Sequence, residues 1–473
     1  MTRDELAFLP LAQLGELLRS RAVSPVEVTQ LYLDRIERID GQLHSYITVC
    51  QDEALAAARQ AQDDIGLGKY RGPLHGVPYA TKDQMYTRGI RTTGASRVFK
   101  DFVPDCNATV IEKMSDAGAV LLGKLNLSEF ALGGTREFYY GTPRNPWNTD
   151  YTPGESSSGS GIAVASGLCC VALGEDTGGS VRYPASNCGI VGLRPTTGRV
   201  SRYGLMPLSW SMDTAGPMGR TVHDVALLLE VIAGFDPKDP TSVDIPVPRY
   251  SSSLGKSVKG LRIGCIRELL EGEACHPDVR TAINNAIDVL RDIGASVEEV
   301  SVPLVSYVAQ MLACVLEVDL AGAMEHIVRT RGDEIDNQSR TRCLAGMLAP
   351  AYVYQRGLKA RNALARQLRE KLKEFDVLVS PTMPDPPRTI ASFEPRFASE
   401  ANVVERMYRL RSVMGTYPLA RLPAISVPCG FSSGGLPIGL QIGGRPFDES
   451  TLIQVAHAFE SVTDYHLKRP PVS

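Results

Sequence analysis

Apolar residues along this 473-residue chain follow two alternating patterns, a helical repeat and short continuous runs. The helical one comes first. Ser24-Pro25-Val26-Glu27 reads as a capping box with proline at the first helical position, and Val28, Leu31, Tyr32, Ile36 and Ile39 then share one face. An alanine-rich helix is predicted over 52–64, and Gly72-Pro73 turns the chain into a strand-like run that ends at Lys82. Residues 107–117 read as a helix and 119–122 as a strand; 162–167 read as a small-residue helix and 169–173 as a buried strand. Further on, a strand is predicted over 261–266, an amphipathic helix over 277–293 ending at Gly294, long helices over 303–332 and 351–375, and buried strands at 377–381 and 425–428. Strands that read as continuous apolar runs are covered on both faces, which predicts an α/β chain with its site at strand ends.

Two near-motifs change nothing. Gly118 to Lys124 comes close to a phosphate-binding loop, but Leu125 stands where a Ser or Thr would hold magnesium. Gly430-Phe431-Ser432-Ser433-Gly434 matches the G-x-S-x-G elbow, yet Gly435-Leu436-Pro437 follows instead of a helix, so it reads as a hairpin turn.

Net charge is −3 with 22% charged residues, which offers no basic stripe for nucleic acid and no polybasic membrane anchor. The ten cysteines show no C-x-x-C and no ligand spacing with histidine, so they read as reduced and packed, and neither metal nor organic cofactor is implied. The N-terminus lacks a signal-peptide profile and no apolar run reaches about 18 residues, so a soluble cytoplasmic protein is expected. Segment 235–259, rich in Pro, Asp and Ser, divides a motif-bearing half, 1–235, from a more helical substrate-entrance region, 236–375. A return to the core sheet is expected over 376–473.

Two runs resist a scaffold explanation: Gly154-Glu155-Ser156-Ser157-Ser158-Gly159-Ser160-Gly161 and Gly174-Glu175-Asp176-Thr177-Gly178-Gly179-Ser180-Val181-Arg182. Serines among glycines are poor in helix and strand propensity, and Gly178-Gly179-Ser180 can turn several backbone N–H groups toward one point, as an oxyanion requires. None of the seven histidines lies in either run. A lysine can replace histidine as base if burial lowers its pKa, and Lys82 ends the buried run.

Lys82, Ser156 and Ser180 in this order, with the Gly-Gly-Ser-x-Arg ending, closely resemble the amidase signature family of serine amidohydrolases. The resemblance extends to Ser24-Pro25-Val26-Glu27, Arg144-Asn145-Pro146-Trp147, residues 188–196, 422–428 and 435–441, nearly the whole chain. It implies one amidase domain over 1–473, with a large mixed β-sheet covered by helices on both faces. It also implies Ser180 as nucleophile, Ser156, after a cis peptide, as proton relay, and Lys82 as base. The backbone N–H groups of Thr177, Gly178, Gly179 and Ser180 would form the oxyanion hole, supported by Asp176, Arg182 and Ser157. Tyr139, Tyr140 and Met85 are expected at the substrate pocket. Glu155 and Ser158 replace glycines of the common pattern, and Glu155 puts a carboxylate beside the relay. The leading expectation is a stand-alone amidohydrolase cleaving a small-molecule carboxamide, aryl amides and carbamates included, without nucleic-acid or membrane partners, a homodimer being an open option. The alternatives are the amidase-like subunit of a glutamyl-tRNA(Gln) amidotransferase and an inactive binding protein on the same fold. Ungapped comparison with that subunit sets its glutamine-binding arginine on Arg361 and its aspartate on Arg411, which counts against glutamine.

Overall fold

The computed structural model describes residues 2–135, 137–271, 274–393 and 409–473; positions 394–408 of the expected C-terminal return lie outside the described residues. The strands are β1 (Tyr46–Val49), β2 (Pro78–Lys82), β3 (Val120–Leu125), β4 (Val171–Glu175), β5 (Val191–Arg194), β6 (Ala215–Gly219), β7 (Arg262–Ile266), β8 (Ser296–Val300), β9 (Val377–Pro381), β10 (Ala424–Phe431) and β11 (Pro437–Gly444). They join in one mixed sheet in the order β1-β3-β2-β4-β6-β5-β10-β11-β9-β7-β8. Parallel pairs β2/β3 and β2/β4 stand at one side, and parallel pairs β7/β8 and β7/β9 at the other. Along β9, Val377 and Val379 enter one apolar core while Leu378 enters a second, so alternate side chains feed cores on opposite faces of the sheet.

Helices cover both cores. The capping box at Ser24 forms as predicted and starts Pro25–Leu43, whose Val28, Leu31, Tyr32, Ile36 and Ile39 are all buried. The second core is built largely by Val308–Arg331, Asn337–Leu348 and Ala351–Glu374. The middle one is not expected from the sequence. It starts at Asp336, whose carboxylate accepts from the N–H groups of Gln338 and Ser339.

The stretch Pro303–Glu334 is apolar enough to match a membrane span by length and composition, although no such run is expected from the sequence. Glu317 and Asp319 interrupt it in the sequence, but both are partnered: Glu317 with Arg342 at 3.0 Å, Asp319 with Ser209 and Ser211 at 2.5 and 2.7 Å. The strands and helices read from the sequence form near their expected places, whereas strands Tyr46–Val49, Val191–Arg194, Ala215–Gly219 and Ser296–Val300 and helices Leu11–Arg19, Val222–Ile232 and Glu449–Glu460 are additional. Lys124 lies buried in β3, donating to the Met85 carbonyl at 2.6 Å, and 432–436 turn β10 into β11.

What positions the site is the parallel register of β2 and β4, which aligns Thr81 with Leu173 and brings Lys82 and Glu175 to the same sheet end. Antiparallel β6 sets Ala215 opposite Glu175, so the turn just before it, with Asp213, reaches that end too.

Candidate active site

Lys82 is fully buried, and its Nζ donates to Ser156 Oγ at 2.8 Å, to the Glu175 carbonyl at 3.3 Å and to Glu175 Oε2 at 3.2 Å. Burial lowers the Lys82 pKa, and the facing carboxylates of Glu175, Asp213 and Asp176 offset this only in part. Burial thus favours the neutral amine at this position, with a serine hydroxyl 2.8 Å away for it to draw a proton from.

The two serine-bearing segments are bound to one another. Ser157 N–H donates to the Ser180 carbonyl at 3.2 Å, and the Ser157 hydroxyl bridges the Glu175 carbonyl and N–H at 3.1 and 3.2 Å. The Glu155–Ser156 peptide is cis, as the resemblance implies. Helix Ser158–Ala165 then leaves the loop so closely packed that a Cβ on Gly159 would meet the Ser45 carbonyl oxygen at 2.3 Å. Ser158 Oγ donates back to the Gly154 carbonyl at 2.7 Å. Ser156 is buried whereas Ser180 is half-exposed, so the second serine is the one open to a ligand.

Asp176 organises the nucleophile's turn. Its Oδ1 accepts from Gly179 N–H at 2.9 Å, its Oδ2 from Val181 N–H at 3.2 Å, and Arg182 and Arg194 each pair with it at 3.1 Å. Burial alone would raise this carboxyl, but the two guanidiniums overcome it and hold its pKa down at about 2. Arg182 also bonds to Gln441 on β11 and to the Met414 carbonyl, tying the turn to the sheet's other half. Of the expected oxyanion donors, Gly179 N–H is therefore engaged by Asp176. The N–H groups of Thr177, Gly178 and Ser180 have no acceptor among the described residues. Gly179 has φ +128°, and a Cβ there would meet Met414 Cβ at 2.7 Å, so this position requires glycine.

Ser156 and the turn from Thr177 to Ser180 open into a cavity of about 150 Å³. Its walls include Glu155, Tyr183, Leu312, Leu316, Arg342, Arg411 and Met414. A wider groove near His276, Asp385 and Arg409 is lined by Ser432 and Ser433 but by neither Ser156 nor Ser180. Glu155 Oε2 accepts from Gly134 N–H at 2.5 Å, which fixes the rim. Arg342 donates to the Leu132 and Gly133 carbonyls at 2.7 and 3.0 Å and pairs with Glu317 at 3.0 Å, and Arg411 reaches the same Glu317 at 3.3 Å.

Three expected pocket residues are corrected. Met85 is fully buried beneath the site, its sulfur accepting from Thr81 at 2.9 Å, because the chain turns inward directly after Lys82. Tyr139 is 53% exposed and packs edge-on against Tyr140, whose ring lies under Arg91, and neither lines the cavity that holds the serines. Arg361 is also elsewhere: it is buried and holds the Leu419 carbonyl and Ser211. The sequence reading missed Arg342, which lies on the helix it lacks. It also gave no role to Glu175, although that residue belongs to the run containing Ser180.

A family model described as Amidase matches residues 27–453. The chain belongs to the amidase family. It is 42% identical to a glutamyl-tRNA(Gln) amidotransferase subunit of Moorella thermoacetica, covering 98% of this amidase and 99% of the relative. The crystal structure of a glutamyl-tRNA(Gln) amidotransferase subunit from Thermotoga maritima, 32% identical, superposes with a TM-score of 0.83 over 99% of this chain and 98% of that one. A chain from a vestigial complex linked to the origins of an s-triazine catabolic enzyme, 28% identical, superposes at 0.89, covering 96% and 98%. The protein is thus an amidase, a hydrolase of linear amide C–N bonds with a serine nucleophile. Two expectations fall to the same findings. Near-full-length relatives named as one subunit of an enzyme of glutamyl-tRNA overturn the reading as a stand-alone small-molecule amidohydrolase. They equally overturn the expectation of no nucleic-acid partner.

Proposed function

We propose that this amidase is the amide-hydrolysing subunit of an amidotransferase acting on glutamyl-tRNA(Gln), cleaving the side-chain amide of glutamine so that its nitrogen passes to the tRNA-borne acceptor. The full-length similarity to proteins of that name carries the reading. The pocket chemistry supports it, since Arg342 and Arg411 offer guanidiniums for an α-carboxylate and Glu155 a carboxylate for an α-ammonium. Glu155 supplies a carboxylate in the same cavity as Arg411, the position on which ungapped comparison set the aspartate.

In this reading neutral Lys82 takes the Ser156 proton while Ser156 takes that of Ser180, whose Oγ attacks the amide carbon. The N–H groups of Gly178 and Ser180 meet the developing oxyanion, each donor worth about 3–4 kcal/mol. The relay then runs backwards to protonate the leaving ammonia, and water releases the acyl group by the same route. Further subunits and the tRNA are its partners, and the cytoplasm its setting.

The test is ammonia release from glutamine by the protein assembled with the other subunits of such an amidotransferase, with and without glutamyl-tRNA(Gln). The expected result is turnover that rises with the tRNA and vanishes in Ser180→Ala while the fold is retained. Hydrolysis of other amides but not of glutamine in the full assembly would overturn the assignment.

A further inference from the structure

The Thr177 hydroxyl lies 2.7 Å from Glu175 Oε1 and 2.7 Å from Asp213 Oδ1, all three groups being buried. A hydroxyl carries one proton and donates once, so two such contacts need a second proton on one of the carboxyls. Asp213 Oδ2 accepts from the N–H groups of Leu208 and Ser209 at 2.9 and 3.0 Å, while Oδ1 shares only the Ser209 N–H, at 3.0 Å, and faces Thr177, which makes Oδ1 the better-placed oxygen for the second proton. Burial and the facing Glu175 push the Asp213 carboxyl up to about 7, consistent with that placement. The resulting chain runs Asp213 Oδ1–H to Thr177 Oγ, Thr177 O–H to Glu175 Oε1, and Lys82 Nζ–H to Glu175 Oε2 at 3.2 Å.

We propose that Glu175 is the internal acceptor for the proton that Lys82 must shed before acting as base, with Asp213 and Thr177 sharing a second proton behind it. One N–H bond of the Lys82 ammonium breaks and one O–H bond forms at Glu175 Oε2, so an ion pair becomes a neutral amine and a neutral acid. Net charge is unchanged and no proton leaves for solvent, which suits a site this dry. Asp176 and Arg194 also face the cluster, but their charges are committed to each other at 3.1 Å. The inference rests on Lys82 serving as base. Glu175 is then a positioning residue that acts through it.

An ordinary ion pair and a proton acceptor differ in sign. If Glu175 only stabilises the ammonium, Glu175→Gln lowers the Lys82 pKa and moves the acid limb of kcat/KM to lower pH. If Glu175 takes the proton, its loss obliges Lys82 to deprotonate into solvent, and the limb moves to higher pH. We expect an upward move of a unit or more, read as a tenfold or greater loss of kcat/KM for ammonia release from glutamine on the acid side. A downward move, or none, overturns the proposal. The infrared spectrum gives a second reading that needs neither substrate nor a Glu175 variant. Wild-type protein at neutral pH should show a protonated-carboxyl C=O band that loses intensity in Asp213→Asn, and an unchanged band refutes the shared proton. Absence of glutamine turnover with that band change present would count against the proposed substrate alone.

Discussion

Asp176→Asn isolates the charge that the nucleophile's turn is built around. In the folded protein the carboxyl is held at about 2 against an ordinary 3.8, a shift that corresponds to about 2 kcal/mol of net stabilisation after the cost of burial. Its loss also strands the fully buried Arg182 and Arg194, and breaking one partner out of a buried ion pair costs about 3–5 kcal/mol. We therefore expect Asp176→Asn to lower unfolding stability by about 2–5 kcal/mol, measured by urea denaturation at neutral pH. Arg182→Met together with Asp176→Asn should recover part of that loss, because a guanidinium is no longer left unpaired. The pH dependence has a fixed sign. Because the folded pKa lies below the unfolded one, the contribution is complete above pH 3.8 and disappears as pH falls toward 2, a window in which the variant's deficit should shrink. A variant within about 1 kcal/mol of wild type at neutral pH, a typical surface outcome, would refute this account of the turn.

Three further outcomes can be checked by steady-state kinetics. Lys82→Ala should lose about 10²–10⁴ in kcat/KM, Lys82→Arg should not rescue it because a guanidinium stays protonated, and no histidine substitution should move the acid limb. Gly179→Ala should cut kcat by about 10²-fold, since its Cβ meets Met414 and its φ of +128° disfavours any side chain; wild-type kcat would show that the turn tolerates a side chain there. Arg342→Ala should raise KM for glutamine about 10–100-fold with little change in kcat, as expected for a charge-assisted contact made equally in ground and transition states; a loss confined to kcat would contradict a binding role.

How much of this site can be read from sequence depends on whether a residue's role is local. The glycine-rich turns around Ser156 and Ser180 are local: their composition is unsuited to helix or strand, and the structure puts them against one another with Lys82. The apolar repeats are equally local, and Pro25–Leu43 and Pro277–Asp292 form where the pattern sets them. The pocket wall is not. Tyr139 and Tyr140 lead toward the serine run along the chain, yet their rings turn to Arg91 and to each other. The wall is supplied instead by Leu312, Leu316, Arg342 and Arg411, more than 130 positions beyond Ser180. Ungapped comparison set an arginine on Arg361, which the structure holds against Leu419 and Ser211, whereas Arg342, on a helix absent from the sequence reading, lines the cavity. Glu175 shows the limit most plainly. It stands five residues before Ser180, but its chemistry depends on Lys82 and Asp213, which reach it only because β2, β4 and β6 are neighbours in the sheet. In isolation the residue is one more acid in a polar run; beside a buried amine, and linked through Thr177 to a second carboxyl, it is placed to exchange a proton with Lys82.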